Sequence, residues 1–259
     1  MTLDLSPADR AKFATARRAV DFVEDGMRLG LGTGSTAAWM VRCLAARIRD
    51  EGLNITTVAT STRTAEQARS LGIKVVTLDE AKWLDLTIDG ADEFDADLNL
   101  IKGGGGAHLQ EKIVATASDR MVVIADPSKE VETLGAFPLP LEVLAFGLNA
   151  SRTLVEQALT SLDVAGREAV LRMNGDQPYR TDEGNCILDL HLRRIGDPRQ
   201  LSMVMNQIPG VVENGLFIDI CDAVVIGHAD GRTETRDIAT GSIDERQIDL
   251  DAAFATLGN

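Results

Sequence analysis

Apolar residues in this chain gather in short runs, separated by longer stretches in which they recur every three or four positions. The runs over 27–31, 55–59, 73–78, 84–88 and 121–125 have the length of strands buried on both faces. The stretches over 35–49 and 62–71, and the one following Gly106, carry helical spacing. Ser6-Pro7-Ala8-Asp9 adds a hydroxyl cap, a proline in the first turn and an early acid, which starts a first helix running to about residue 24. Strands alternating with helices in this way predict parallel βαβ units, so the first half is expected to form a Rossmann-like sheet covered by helices.

Beyond Lys129 the texture changes. Pro138 and Pro140 mark a break before a strand at 141–145, a helix at 151–162, strands at 169–173 and 186–192, a helix after Asp197-Pro198 and a strand at 211–218. That βαββαβ order is the ferredoxin-like arrangement. The run 223–226 is expected to rejoin the first sheet. The predicted class is therefore α/β, with a mostly parallel Rossmann-like domain at 1–134, rejoined at about 219–229, and a smaller α+β domain at 135–218. Residues 230–259 are expected to be an acidic tail with one short helix at 249–257. No internal repeat is visible.

Composition narrows the function. With 259 residues and 44% of them hydrophobic, the chain can build a substantial core. Lys and Arg number 26 against 40 Asp and Glu, a formal charge of -14, which argues against a nucleic-acid partner because such binding depends on basic surface. A small anion would then need a local cradle of backbone N–H groups and a few cations. No apolar run reaches the ~18 residues of a membrane span, and Thr2, Asp4, Ser6, Asp9 and Arg10 do not form a basic segment leading into an apolar one, so a cytoplasmic protein without a membrane partner is expected. Cys43, Cys186 and Cys221 are odd in number and far apart, suggesting neither a disulfide framework nor a zinc site.

Three loops can carry chemistry. In Gly30-Leu31-Gly32-Thr33-Gly34-Ser35-Thr36-Ala37, glycines precede a helix start whose free N–H groups suit an anion, although a plain strand-to-helix turn would look similar. Counted from Gly32 it is a weak dinucleotide fingerprint ending in Ala37, and no Walker lysine follows. The second loop holds Asp89, Asp92, Glu93, Asp95 and Asp97; counted from Asp95, Leu100 and Gly106 stand where a calcium loop needs Gly and Glu, so that pattern fails. Asp89 and Asp92 flank Gly90 and can face a ligand hydroxyl, whereas Asp95 and Asp97 suit a solvated turn. The third loop, Lys102-Gly103-Gly104-Gly105-Gly106, spends four costly glycines before a helix carrying Glu111, which suits close backbone approach to a ligand. Glu111 alone is equally consistent with an acid complementing the helix dipole.

Taken together, the G-x-G-T-G-S-T loop, the D-G-A-D loop and the K-G-G-G loop with a glutamate nine residues after its lysine resemble ribose-5-phosphate isomerases of the A type. Ala125-Asp126-Pro127-Ser128-Lys129 and Phe137-Pro138-Leu139-Pro140-Leu141-Glu142-Val143 extend the resemblance, which runs from about the first helix through Gly227. It implies a Rossmann-like domain with a ferredoxin-like lid, usually a homodimer, that interconverts ribose 5-phosphate and ribulose 5-phosphate through an enediolate in the non-oxidative pentose phosphate pathway, with no metal or organic cofactor. By position it implies substrate contacts from Thr33, Gly34, Ser35 and Thr36, from Asp89, Gly90, Ala91 and Asp92, and from Lys102, Gly103, Gly104 and Gly105. Lys129, and with less support Lys12, would hold the phosphate. Glu111 would be the base, with Asp89, Asp92 and Lys102 sharing the catalytic work. Two positions depart from the pattern: Gly106 lengthens the glycine run, and His108 stands where an apolar residue is expected, and is read as a surface or supporting residue. A non-catalytic sugar-phosphate sensor, or another enzyme of this scaffold such as a deaminase or CoA transferase, is the alternative.

Overall fold

The computed structural model describes residues 5–258, so Thr2 and Asp4 lie outside the described residues. The chain folds as two compact units, one made of the chain up to Gly90, Ile113–Lys129 and the chain from Ile220 onward, the other of Ala91–Lys112 and Glu130–Asp219.

The larger unit is built on a seven-stranded sheet in the order Ile243–Gln247, Arg232–Asp237, Ala223–Gly227, Met121–Ala125, Leu86–Gly90, Arg28–Leu31 and Thr56–Ala59. The last five are mutually parallel, Arg232–Asp237 runs antiparallel to them, and Ile243–Gln247 pairs antiparallel with Arg232–Asp237. Every residue of Met121–Ala125 and of Ala223–Gly227 is buried, which is why these strands appear in the sequence as continuous apolar runs. The helix Pro7–Ala19, capped by the Ser6 hydroxyl, and the helix Ser35–Glu51 bury Phe13, Met40 and Leu44 in one core with Leu29, Ile88 and Val225. Phe13 meets Trp39 and Phe254 edge-on, tying the carboxyl-terminal helix Leu250–Ala255 to this core.

Two segments of this unit differ from expectation. Over 73–78 there is no strand, only a bridge from Val75 to Thr57, because Thr77 and Glu80 form a capping box that turns the chain into the short helix Leu78–Ala81. From residue 230, where an acidic tail is expected, the described chain forms the hairpin Arg232–Asp237 and Ile243–Gln247, which lengthens the sheet, before the last helix.

In the smaller unit, the strands Leu139–Val143, Glu168–Leu171, Cys186–His191 and Val211–Asn214 form an antiparallel sheet. Numbered along the chain, their spatial order is 4-1-3-2, the ferredoxin-like order. The helices Leu148–Ala158 and Pro198–Asn206 place Val155, Leu201 and Met205 in one core with Leu141, Leu188 and Leu190. A second sheet of Glu93–Phe94, Leu100–Ile101 and Leu216–Phe217 completes the unit. The strand expected over 211–218 is thus broken at Gly215, where a Cβ would stand 2.3 Å from the Lys102 carbonyl oxygen. No helix among the described residues is long and apolar enough to cross a membrane.

Candidate active site

In the larger unit the strand order reverses between Arg28–Leu31 and Leu86–Gly90, since the chain first adds a strand on one side of Arg28–Leu31 and then continues on the other. Open α/β sheets bind ligands outside the carboxyl ends of the strands at such a point. The first glycine loop leaves from there. A Cβ on Gly32 would lie 2.0 Å from Asp89 Oδ1 and 2.5 Å from Asp89 Cα, so only glycine lets the two strand ends meet. Asp89 is fully buried, and its Oδ1 accepts the Thr33 N–H (3.0 Å) and its neighbour's Gly90 N–H (2.7 Å).

Gly34, at φ 126° and ψ 177°, then starts the helix Ser35–Glu51 from a backbone conformation that residues with a Cβ avoid. The Thr33 hydroxyl points inward, within 2.8 Å of the Thr60 and Ser61 hydroxyls and 3.1 Å of that of Thr64, while Ser35 is exposed and Thr36 half-buried. What this loop offers a ligand is its helix start, with the threonine holding it from below. Lys129 ends the turn Pro127–Lys129 that follows the next strand, at the same sheet edge as Gly90, whose partner is Ile124. Lys12 lies on the first helix with its ammonium 4.0 Å from Asp9.

The smaller unit gathers the other candidates. Lys102 follows the strand Leu100–Ile101, and its backbone N–H donates to the Gly215 carbonyl (2.9 Å). Its ammonium sits 3.3 Å from Glu111 Oε2, both side chains being at most 4% exposed, and 5.3 Å from the centre of the Phe217 ring. Glu111 lies in the first turn of the helix His108–Thr116. Between the two residues the glycine loop closes on itself through a Gly106 N–H to Gly103 carbonyl bond (2.9 Å), and Asp92 Oδ2 accepts the Gly104 N–H (2.7 Å). An ammonium and a carboxylate held together out of water interact strongly, and the ammonium can equally face an oxyanion that forms beside it.

His108 is fully buried rather than at the surface. Gly103, at φ 106°, packs so closely on its ring that a Cβ would stand 2.8 Å from Nδ1. Burial, reinforced by the positive charges of Lys112 and Arg172, pushes the imidazole down to about 3, so it is neutral. Its Nε2 lies 3.4 Å from the Glu213 carbonyl and 4.0 Å from Glu142 Oε2. Two further acids of the second loop, Glu93 and Asp95, hold backbone N–H groups. Glu93 accepts the Gly135 and Phe137 N–H groups, and Asp95 Oδ1 accepts those of Asp97 (3.0 Å) and Asn99 (2.8 Å). Among the described residues no three of His, Cys, Asp and Glu form a group able to hold a metal ion. Gly215 and Phe217, which seat the backbone and ammonium of Lys102, have only one trace in the sequence, a glycine interrupting a strand pattern.

The family described as ribose 5-phosphate isomerase A (phosphoriboisomerase A) matches residues 56–231. A ribose-5-phosphate isomerase A of Cereibacter sphaeroides is 70% identical over the full length of both chains, and one of Ruegeria is 69% identical over the same span. Among solved structures, ribose 5-phosphate isomerase A of Methanocaldococcus jannaschii is 38% identical with a TM-score of 0.79, covering 94% of this chain and all of that one. A D-ribose-5-phosphate isomerase in complex with phospho-erythronic acid is 34% identical with a TM-score of 0.80 at the same coverage.

Proposed function

We propose that this protein, which belongs to the ribose 5-phosphate isomerase A family, moves a proton between neighbouring carbons of a sugar phosphate with Glu111 as its base. It is an aldose–ketose isomerase that interconverts ribose 5-phosphate and ribulose 5-phosphate. The observation that carries the assignment of the base is the buried Lys102–Glu111 pair at 3.3 Å beside the glycine loop.

In this reading the carboxylates of Asp89 and Asp92 handle the protons of ring opening. The Glu111 carboxylate then takes the proton from C2 of the open aldose, the C2–H electron pair becomes the C1–C2 double bond, and the carbonyl π pair moves onto O1. The resulting enediolate faces the Lys102 ammonium and the Gly105 N–H of the glycine loop, which meet the charge where it develops. The O2–H proton passes to O1, the O2 electron pair forms the C2 carbonyl as the C1–C2 double bond takes the proton back from Glu111 at C1, and the ketose results. A free glutamate, with a pKa near ~4.3, is a weak base, so withdrawal from water and stabilisation of the enediolate must together make the transfer possible. Gly34, Ser35 and Thr36 at the helix start, with Lys129 and Lys12, hold the phosphate, and the phosphorylated sugar acid bound by the solved relative supports a ligand of this kind. The working form is read as a cytoplasmic homodimer, by resemblance to the family.

The test is turnover of ribose 5-phosphate, with a chelator present, by the unaltered protein and by Glu111→Gln. Turnover by the former alone, with the variant folded and still binding substrate, is the expected result. A variant with near-normal kcat sinks the assignment of the base.

A further inference from the structure

The carbonyl groups of the glycine loop are held by two side chains that no sequence motif marked. Arg172 follows the strand Glu168–Leu171; its Nη1 donates to the Gly103 (2.9 Å) and Gly104 (3.2 Å) carbonyls. The rest of its guanidinium grips the Asp189 carboxylate, Nε to Oδ2 at 2.9 Å and Nη2 to Oδ1 at 2.5 Å. Tyr179, the one tyrosine of the chain, comes back alongside through a short hairpin, its N–H donating to the Arg172 carbonyl (2.9 Å). Its hydroxyl donates to the Gly105 carbonyl (3.3 Å), and its ring centre is 5.8 Å from the Arg172 guanidinium carbon. The fourth glycine now has a reason: a Cβ on Gly106 would stand 2.4 Å from the Tyr179 hydroxyl.

A trans peptide is planar, with its C=O and N–H pointing in opposite directions. Holding a carbonyl therefore aims the following N–H. Arg172 takes the Gly103 carbonyl, and the Gly104 N–H points the other way, onto Asp92 Oδ2. Taking the Gly104 carbonyl likewise turns the Gly105 N–H away from Arg172. Without that grip four glycines in succession have wide conformational freedom, and a donor that wanders no longer meets the charge it is meant to stabilise.

We propose that Arg172, braced by Asp189 and assisted by Tyr179, is the positioning residue that aims the Gly105 N–H at the enediolate oxygen and keeps the Gly104 N–H on Asp92. It touches no reacting atom; it acts through the peptide planes. The proposal rests on the reading above, in which this loop faces the substrate.

The experiment measures kcat, KM and melting temperature for the unaltered protein, Arg172→Met, Arg172→Lys and Tyr179→Phe, with Glu111→Gln as control. For Arg172→Met, kcat is expected to fall about 10- to 100-fold, the scale of a misplaced catalytic geometry, with KM little changed. Guanidinium ion, at concentrations far below those that unfold the protein, is expected to restore part of that kcat. Arg172→Lys recovers less than full activity, because an ammonium lacks the fork that reaches two carbonyls and a carboxylate together. A folded Arg172→Met with unchanged kcat, or with a defect confined to KM, overturns the proposal. Should Arg172→Met fail to fold, Tyr179→Phe decides: a lower kcat at unchanged melting temperature supports the clamp, and an unchanged kcat overturns it. If the unaltered protein lacks turnover or Glu111→Gln keeps it, the underlying reading fails and takes the proposal with it; failure of Arg172 with both controls intact rejects the clamp alone.

Discussion

Single residues in this protein are fixed by what lies within a few ångströms of their Cα atoms, and Gly32 shows this most sharply. Its missing Cβ leaves room for Asp89, including the Asp89 Cα, which no side-chain rotation can move aside. Gly32→Ala must therefore push two sheet strands apart at their ligand-facing ends. The expected cost is about 2 to 3 kcal/mol, the upper range for overpacking a well-filled site, with turnover reduced beyond what the loss of folded protein explains. A urea titration and a kcat measurement on the same sample check it; an alanine variant as stable as the parent would show that the loop relaxes freely. Some of this was legible in the sequence and some was not. Three glycines near a helix start announce a close approach, but that the atom approached belongs to Asp89 is a long-range fact. His108 is the opposite case: a polar residue at an apolar position, read as surface or supporting, that fills the space under Gly103.

At the level of elements, helix starts serve two different ends. Ser61 caps the helix Thr62–Ser70 through the Thr64 N–H (3.2 Å), and the same hydroxyl meets that of Thr33 (2.8 Å). Thr77 caps Leu78–Ala81 in an exposed capping box with Glu80 and touches nothing of the site. Removing either cap, as Ser61→Ala or Thr77→Ala, is expected to cost about 1 kcal/mol of stability. Only Ser61→Ala should also raise KM, because it loosens the helix start assigned to the phosphate. Equal KM values for the two variants would detach Thr33 from substrate binding. The strands Met121–Ala125 and Ala223–Gly227 were legible because they are apolar at every position, and the ferredoxin-like order was legible from the succession of elements. The closing hairpin was not, because the inward positions of Arg232–Asp237 are Thr233 and Thr235, which pack as strand residues while counting as polar. Periodicity of apolar residues cannot see a strand whose buried face is threonine.

For the whole molecule, the question is how a chain with formal charge -14 holds buried ionisable groups, and the pH dependence of stability is where they show. His108 titrates near ~6.5 when unfolded and at about 3 in the fold, so between these values the unfolded chain binds the extra proton and stability falls as pH drops, by up to about 1.4 kcal/mol per pH unit. Glu142, 4.0 Å away, is shifted the other way: burial outweighs the hydrogen bonds from Asn185 and Thr181 and raises its pKa. Above its unfolded value near ~4.3 the folded state holds the extra proton, so its contribution to stability falls as pH rises toward the raised value. Where the two windows overlap the slopes oppose and partly cancel. Lys112 and Arg172 also face the imidazole, their positive charges adding to its lowering, while Glu213, lowered chiefly by Lys112 against its own burial, contributes a slope only in more acidic solution. Each single replacement should then unmask its partner. Glu142→Gln leaves the histidine alone, and its urea midpoint should fall as pH is lowered from 6.5 toward 4.5. His108→Leu leaves the carboxyl alone, and its midpoint should rise as pH is lowered toward the carboxyl's unfolded value. Trp39 and Trp83 both belong to the larger unit, so tryptophan emission misses the unit that holds this pair, and far-ultraviolet circular dichroism is the probe to use. Profiles that bend in opposite directions would establish two groups whose pKa shifts oppose each other beneath the glycine loop; profiles that both run parallel to the parent's would mean that neither group changes its protonation on folding.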